Sequence, residues 1–317
     1  MKRVRVSVFC TLTVLFLLGL PFYGCQKPKT SIENNLLDSK MIATNKTKNA
    51  SKNQETTGPS IVSDLTNPIA PNQRKWLDIP YSTLSPRQKL DIYLPQNGNG
   101  PFPVIISIHG GGLVEGDKVG LDLKAAKHGL ERGYAVVSIN YRLLGEAKIP
   151  AQIMDVKTAI RYIRANAYAY YLNPMKLALW GGSAGGYLAS LAGTSADYKE
   201  FIDPNQGNSN QSDRVQAVVD WYGPISNLSV MGVEESYITN PATFISKDDP
   251  AFLIQHGKED RLVSYEQSVS FAQKLKNTLG NKRVELSIFD TAGHADSQFF
   301  TPENINNVLN FLDRFMK

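Results

Sequence analysis

Ten residues, Leu177-Ala-Leu-Trp-Gly-Gly-Ser-Ala-Gly-Gly186, constrain this chain more than any other stretch. A short apolar run ends abruptly in glycine, carries one serine and continues in small residues able to open a helix. Strand must therefore become helix within a few positions. The pattern Gly181-x-Ser183-x-Gly185 matches a turn so tight that only glycine is tolerated beside the serine, with the hydroxyl held clear at the sheet edge. Five positions also recur by chance in glycine-rich loops, so a plain turn stands beside a nucleophile until the other residues are read.

Charge narrows the classes of function. The 317-residue chain is formally +5, but the excess lies at its N-terminal end. Lys2, Arg3 and Arg5 open a leader, and residues 26–74 carry seven basic against four acidic residues. Residues 75–317 hold 24 basic and 25 acidic residues, a net charge of −1, so nucleic-acid binding gains no support. The basic start and the uncharged apolar run over 6–24 read as a secretory signal over 1–24, or as an uncleaved anchor. Gly24-Cys25 resembles a bacterial lipobox, which implies a lipid on Cys25 and export to the cell envelope; without the lipid, a secreted or periplasmic protein is expected. Residues 25–74, rich in Asn, Lys, Ser and Thr, cannot bury enough surface to offset ordering entropy and read as a flexible linker. Cys10 and Cys25 are the two cysteines, so residues 75–317 have neither a disulfide framework nor a thiolate.

From Lys75 the pattern becomes one of alternating strands and helices. Trp76–Tyr81 and Gln88–Leu94 read as two strands joined by a short turn, the second half-buried through Leu90, Ile92 and Leu94. The continuous apolar run Phe102–Ile108 reads as a central strand covered on both faces and stops at His109-Gly110-Gly111-Gly112. A polar helix is expected around Lys118–Arg132, closed by Gly133, then a strand over Tyr134–Ile139. Ile153, Val156, Ile160 and Ile163 form one buried helical stripe. Strands follow at Lys176–Trp180, Val215–Val219, Ala251–Gln255 and Arg283–Phe289, with helices over Ser264–Leu279 and after Thr301-Pro302. This alternation predicts about eight strands in a mostly parallel sheet with helices on both faces, one domain over 75–317.

A serine used in acyl transfer needs a base, a group that orients the base, and donors for the developing oxyanion. Four histidines are available: His109, His128, His256 and His294. His128 falls within the polar helix and is expected at the surface, and His256 reads as a strand end. His294, in a loop just after the last strand, sits where parallel sheets place ligand sites and is favoured as base. Asp260, after the penultimate strand, comes between serine and histidine in the required order; Asp220 and Glu259 compete for the role of acid, and Asp155 reads as an exposed or ion-paired helix residue. Gly110–Gly112 lets backbone N–H groups approach a substrate carbonyl, with the Ala184 N–H completing the hole and His109 bracing the loop.

Together these stretches resemble α/β-hydrolase esterases with an HGGG motif, related to the hormone-sensitive-lipase-like group and similar to compact bacterial acetyl and feruloyl esterases. Leu90–Pro95, His109–Gly112, Asn140–Leu143, Pro150–Asn166, Trp180–Gly186, Asp220–Pro224 and Ser246–Pro250 carry the resemblance along with Asp260 and His294. It implies an α/β-hydrolase fold with Ser183, Asp260 and His294 as triad, an oxyanion hole of Gly111, Gly112 and Ala184, and no cofactor or metal. The implied substrate is a small ester or an esterified saccharide. Leu113 follows the glycines where relatives often carry Trp, a departure that bears on any acyl preference the resemblance implies. Ala196–Asp213 and Pro224–Asp249 could build a lid, but neither is a long apolar helix, so a minimal cap is expected. Leu113, Tyr187, Trp221 and Tyr222 are candidate pocket linings. A peptidase or formamidase with the same triad, and a non-catalytic surface binding protein on this scaffold, are the alternatives.

Overall fold

The apolar runs assemble into one sheet in the computed structural model, which describes residues 74–317 apart from 235, 237 and 238. The leader, Cys25 and the linker up to residue 73 lie outside the described residues. The strands are β1 (Lys75–Pro80), β2 (Lys89–Tyr93), β3 (Phe102–Ile108), β4 (Ala135–Ile139), β5 (Leu172–Gly182), β6 (Ala217–Trp221), β7 (Ala251–Gly257) and β8 (Val284–Phe289). Their order across the sheet is β1-β2-β4-β3-β5-β6-β7-β8. The six strands from β4 to β8 in that order pair in parallel, and β2 joins β4 and β1 antiparallel.

Alternation along the strands splits the core in two, because successive side chains face opposite sides. Val104, Ile106 and Ile108 of β3 pack on one face, and Ile105 packs on the other. The first face is covered by α2 (Ala151–Ala165), α3 (Ala184–Thr194) and α4 (Glu266–Leu279), through residues such as Val156, Leu188 and Phe271. The second is covered by α1 (Leu121–Ala126) and α5 (Pro302–Met316), through Leu123, Val308 and Leu312. Helix α5 starts as expected, with the Thr301 hydroxyl accepting the Asn304 N–H at 3.2 Å. The stripe Ile153, Val156, Ile160 and Ile163 is buried. Among the described residues no helix is long and apolar enough to cross a membrane.

Three expectations are corrected. The polar helix is shorter, since α1 gives way at Lys127 to a 3-10 segment that ends at Gly133. Strand β2 is buried on both faces: Asp91 receives Lys118 Nζ at 3.0 Å and the Asp78 N–H at 2.8 Å, and Lys127 Nζ lies 4.0 Å from the centre of the Tyr93 ring. Strand β6 is displaced two residues along the chain from the expected Val215–Val219, starting at Ala217 and ending at Trp221, which puts Asp220 inside the strand; its carboxylate is accommodated there by the Ser190 hydroxyl and the Gly223 N–H.

A fully buried ion cluster fastens α2 to the segment before β6. Asp213 accepts Lys157 Nζ at 2.8 Å and Arg161 at 2.9 Å, with all three side chains at most 1% exposed. Removing the one carboxylate leaves two cations in the interior. Asp213→Ala is therefore expected to destabilise the fold by about 3–5 kcal/mol, read from urea unfolding curves of variant and wild type.

Candidate active site

Ser183 stands between the last residue of β5 and the first of α3, at φ 54° and ψ −123°. A serine in that region is strained, and the fold holds it there from both sides. Its N–H donates to Trp221 O at 2.9 Å, and its carbonyl accepts the Tyr187 N–H at 3.0 Å. Gly185 allows the turn to press on the end of β3, since a Cβ at this position would lie 2.1 Å from Ile108 O. The result is a half-buried serine at the C-terminal ends of the parallel strands.

His294, from the loop after β8, meets that hydroxyl. Its Nε2 lies 2.9 Å from Ser183 Oγ, and its Nδ1 lies 2.7 Å from Asp260 Oδ2. The carboxylate needs a proton from Nδ1, so Nε2 is left to accept the serine proton. Asp260 follows β7 and its side chain is completely buried. Burial pushes its pKa up, but hydrogen bonds from His256, His294 and the Val263 N–H outweigh this and hold it well below the usual carboxylate range. Glu259 is exposed, and Asp220 is occupied by Ser190 and Gly223. Of the three carboxylates weighed, Asp260 is the one brought to His294. Asp155 is ion-paired, but it is buried, held by Arg142 at 2.7 Å.

The glycine loop lies beside the serine. Gly111 takes φ +103°, and its carbonyl receives the N–H groups of Val114 and Glu115. Gly110 is gripped at both ends: His109 Nδ1 donates to its carbonyl at 2.7 Å, and its N–H donates to Asp122 Oδ2 at 3.2 Å. Burial lowers the His109 pKa to about 4, partly opposed by that carbonyl. Its ring stacks on Tyr141, 4.3 Å between centroids, and so serves as a brace at the position expected. Burial pushes Asp122 up to about 6, opposed by the Gly110 and Gly182 N–H groups. Ala184, as the first residue of α3, carries an N–H that the helix does not use.

Two site residues were not singled out from the sequence for these roles. Asp122 reads there as one acid in a polar helix, and its contact with Gly110 arises because α1 lies over the ends of β3 and β5. His256 reads as a strand end, whereas its Nε2 lies 3.2 Å from Asp260 Oδ2. His-Gly-x-x-Asp over 256–260 was the available signal, a histidine one tight turn before the acid.

Residues 90–240 and 233–275 match the BD-FAE family. The chain belongs to that family. A probable carboxylic ester hydrolase, LipM of Mycobacterium tuberculosis, is 32% identical over 223 residues, 63% of this chain and 51% of LipM. Esterase LipC from the same organism is matched over 57% of its length, so the chain spans about half the length of the curated relatives it matches. Among solved structures, a bifunctional GH43-CE protein of Bacteroides eggerthii is 32% identical with a TM-score of 0.68, covering 77% of this chain and 38% of that one. A truncated carbohydrate esterase from gut microbiota is 28% identical with a TM-score of 0.68, covering 77% of this chain and 96% of that one. The fold is that of the α/β-hydrolases.

In this BD-FAE chain the four candidate pocket linings are all buried. Trp221 points to the α5 face, edge-on to Trp180 and Phe300, and its contribution to the site is the carbonyl that holds Ser183. Tyr187 and Leu113 belong to the opposite core. These three present no surface to a ligand: alternation in β6 directs Trp221 inward, Tyr187 lies on α3, which is buried along its whole length, and the turn after Gly112 places Leu113 in the same core as Tyr187. Tyr222 is also buried, but its ring stands 4.9 Å from that of His294 at 65°, and it packs on Phe299. It packs edge-on against the imidazole. Over Ala196–Asp213 and Pro224–Asp249 the described residues form short 3-10 turns and no α-helix.

His109 and Asp122 make opposite contributions to acid stability. An unfolded His109 takes up a proton near pH 6.5 that the folded protein refuses until about pH 4, so its contribution is lost as pH falls through that window. Asp122 binds its proton more readily folded than unfolded, so its contribution rises as pH falls from about 6 to 3.8. Relative to wild type, His109→Gln is expected to gain stability steadily from pH 7 to pH 4, measured by denaturation midpoints at fixed ionic strength.

Proposed function

We propose that this protein is a serine hydrolase of short carboxylic esters, working through an acyl-enzyme on Ser183. The observation that carries this reading is the unbroken relay from Ser183 Oγ through His294 to Asp260, with contacts of 2.9 and 2.7 Å. His294 Nε2 takes the serine proton as Oγ attacks the ester carbonyl. The oxyanion that forms is received by the N–H groups of Gly111, Gly112 and Ala184, donors of a kind each worth about 2.7–4 kcal/mol in the transition state. The imidazolium, steadied by Asp260, protonates the departing alcohol. Water then enters, loses a proton to His294 as it attacks the acyl carbon, and the Ser183 Oγ–acyl bond breaks as His294 returns that proton to Oγ, releasing the acid. All of these steps use the chain's own residues.

Acetyl or hydroxycinnamoyl esters on plant polysaccharides are the proposed substrates, supported by the carbohydrate esterases among the similar structures. The N-terminal leader and Cys25 support a further proposal, that the enzyme is exported and held at the cell envelope by a lipid on Cys25. A lipid label that survives Cys25→Ser would sink that idea.

The decisive panel is aryl acetate, acetylated xylan, methyl ferulate and aminoacyl amides, run with wild type and Ser183→Ala. Ester hydrolysis is expected to fall at least about a thousandfold in Ser183→Ala. Retained activity would overturn the mechanism, and cleavage of amides alone would favour the peptidase reading. Asp260→Asn is expected to lower kcat by about ten-thousand-fold, whereas Asp220→Asn keeps kcat and loses stability.

A further inference from the structure

We infer that His256 is a positioning residue for Asp260, fixing the carboxylate oxygen that works on His294. This rests on the reading of Ser183, His294 and Asp260 as the catalytic relay. The two oxygens of Asp260 are held differently. Oδ1 accepts two backbone N–H groups, from Leu262 at 2.9 Å and Val263 at 2.8 Å. Oδ2 accepts two imidazoles, His294 Nδ1 at 2.7 Å and His256 Nε2 at 3.2 Å.

The tautomer of His256 follows from its neighbours. Its Nε2 also lies 2.9 Å from Val263 O, and a carbonyl can only accept, so Nε2 carries a proton shared between that carbonyl and Asp260. Nδ1 is 2.7 Å from Ser268 Oγ on α4, whose hydroxyl can donate to it. The ring is completely buried and fully partnered. Val263 donates to Asp260 through its N–H and receives His256 through its carbonyl, so strand β7, the following turn and α4 close a ring around the acid. A histidine needed merely to fill the core would not direct an N–H at the working oxygen.

An N–H on Oδ2 draws off electron density and fixes its direction. Without it, Oδ2 is held by His294 alone, pulls harder on the Nδ1 proton and swings more freely. The base is then protonated at higher pH and meets the serine less often in line. The other titratable groups facing this trio are Asp220 within β6, Tyr222 against the His294 ring and Glu266 at the start of α4.

The test is steady-state hydrolysis of an aryl acetate across pH, with competent sites counted from the pre-steady-state burst. For His256→Leu, kcat per competent site is expected to fall about tenfold with KM within about twofold, as for the loss of one hydrogen bond to a charged group. The acid limb of kcat/KM is expected to move to higher pH. His256→Gln, whose amide N–H reaches the same oxygen, restores most of kcat and returns the limb. Ser268→Ala, which keeps the imidazole but frees Nδ1, shifts both in the same direction by a smaller amount. A lower unfolding midpoint with unchanged kcat and limb in His256→Leu would overturn the inference in favour of a purely structural role. So would a His256→Gln as impaired as His256→Leu. If His256→Leu does not fold, Ser268→Ala decides: a wild-type limb and kcat there overturn the inference. A wild type without ester hydrolysis, or an active Ser183→Ala, would instead sink the underlying reading.

Discussion

The site depends on one close approach, that of the turn after β5 to the last carbonyl of β3. Ile108 pairs with Gly181 across the two strands, and a side chain on Gly185 would collide with Ile108 O at 2.1 Å. Without that collision the first turn of α3 settles on the sheet edge. Three consequences follow together. The Ser183 backbone is driven into a strained conformation, a cost of order 1–3 kcal/mol that the buried sheet on both sides offsets. The N–H groups at the start of α3 point toward the loop leaving β3. That loop, His109–Gly112, is brought within reach of the serine without folding over it.

The buried charges do a different job from the apolar core. Asp155 receives the Arg142 guanidinium and backbone N–H after β4, and also the Gln88 amide before β2. Asp91 receives Lys118 from the segment between β3 and α1. Asp213 receives Lys157 and Arg161 of α2. In each case the pair ties a connecting segment to a strand or helix that the apolar pattern has already located. Such pairs add little net stability compared with apolar side chains of similar size. Their effect is geometric, since each satisfied charge accepts only one arrangement of the loop that bears it. The loop after β3 lies beside Ser183, and the loop after β4 is tied to it by the Leu144 N–H to Leu113 O at 2.8 Å, so their fixed course matters to the site.

Much of this was legible in the chain. Apolar runs of strand length, the stripe on α2 and the Thr301-Pro302 start of α5 led directly to the sheet and its layers, because each is a local pattern with a local cause. The order Ser183, Asp260, His294 was legible because all three follow strand ends, which the parallel topology gathers at one edge. What escaped depends on contacts that the apolar pattern does not encode. His256 ends an apolar run; the spacing His-Gly-x-x-Asp over 256–260 is its one local link to Asp260, and nothing near it in sequence tells that α4 places Ser268 behind its ring. Trp221 and Tyr187 are candidate pocket linings in the sequence that the structure places in the core. Alternation in β6 sends Trp221 to the α5 face, and Tyr187 lies on α3, a helix buried along its whole length.

Gly110 shows how the braces around the serine divide the available donors. Its carbonyl is taken by His109 Nδ1 and its N–H by Asp122 Oδ2, at 2.7 and 3.2 Å. The first glycine of the triplet is thus fully committed to holding the loop and has no proton for a substrate. Under the proposed chemistry, the donors left for a developing oxyanion are those of the next two glycines and Ala184. Gly111 reaches its orientation only at φ +103°, where a side chain would also strike Glu115 O at 2.3 Å. Under the proposed chemistry, the three glycines therefore have separate duties: one is clamped, one reverses the chain, and one continues the row of free N–H groups. Asp122 is central to that division, because without its carboxylate the Gly110 N–H would compete for the same oxygen and the loop would lose the tie that aims the other two.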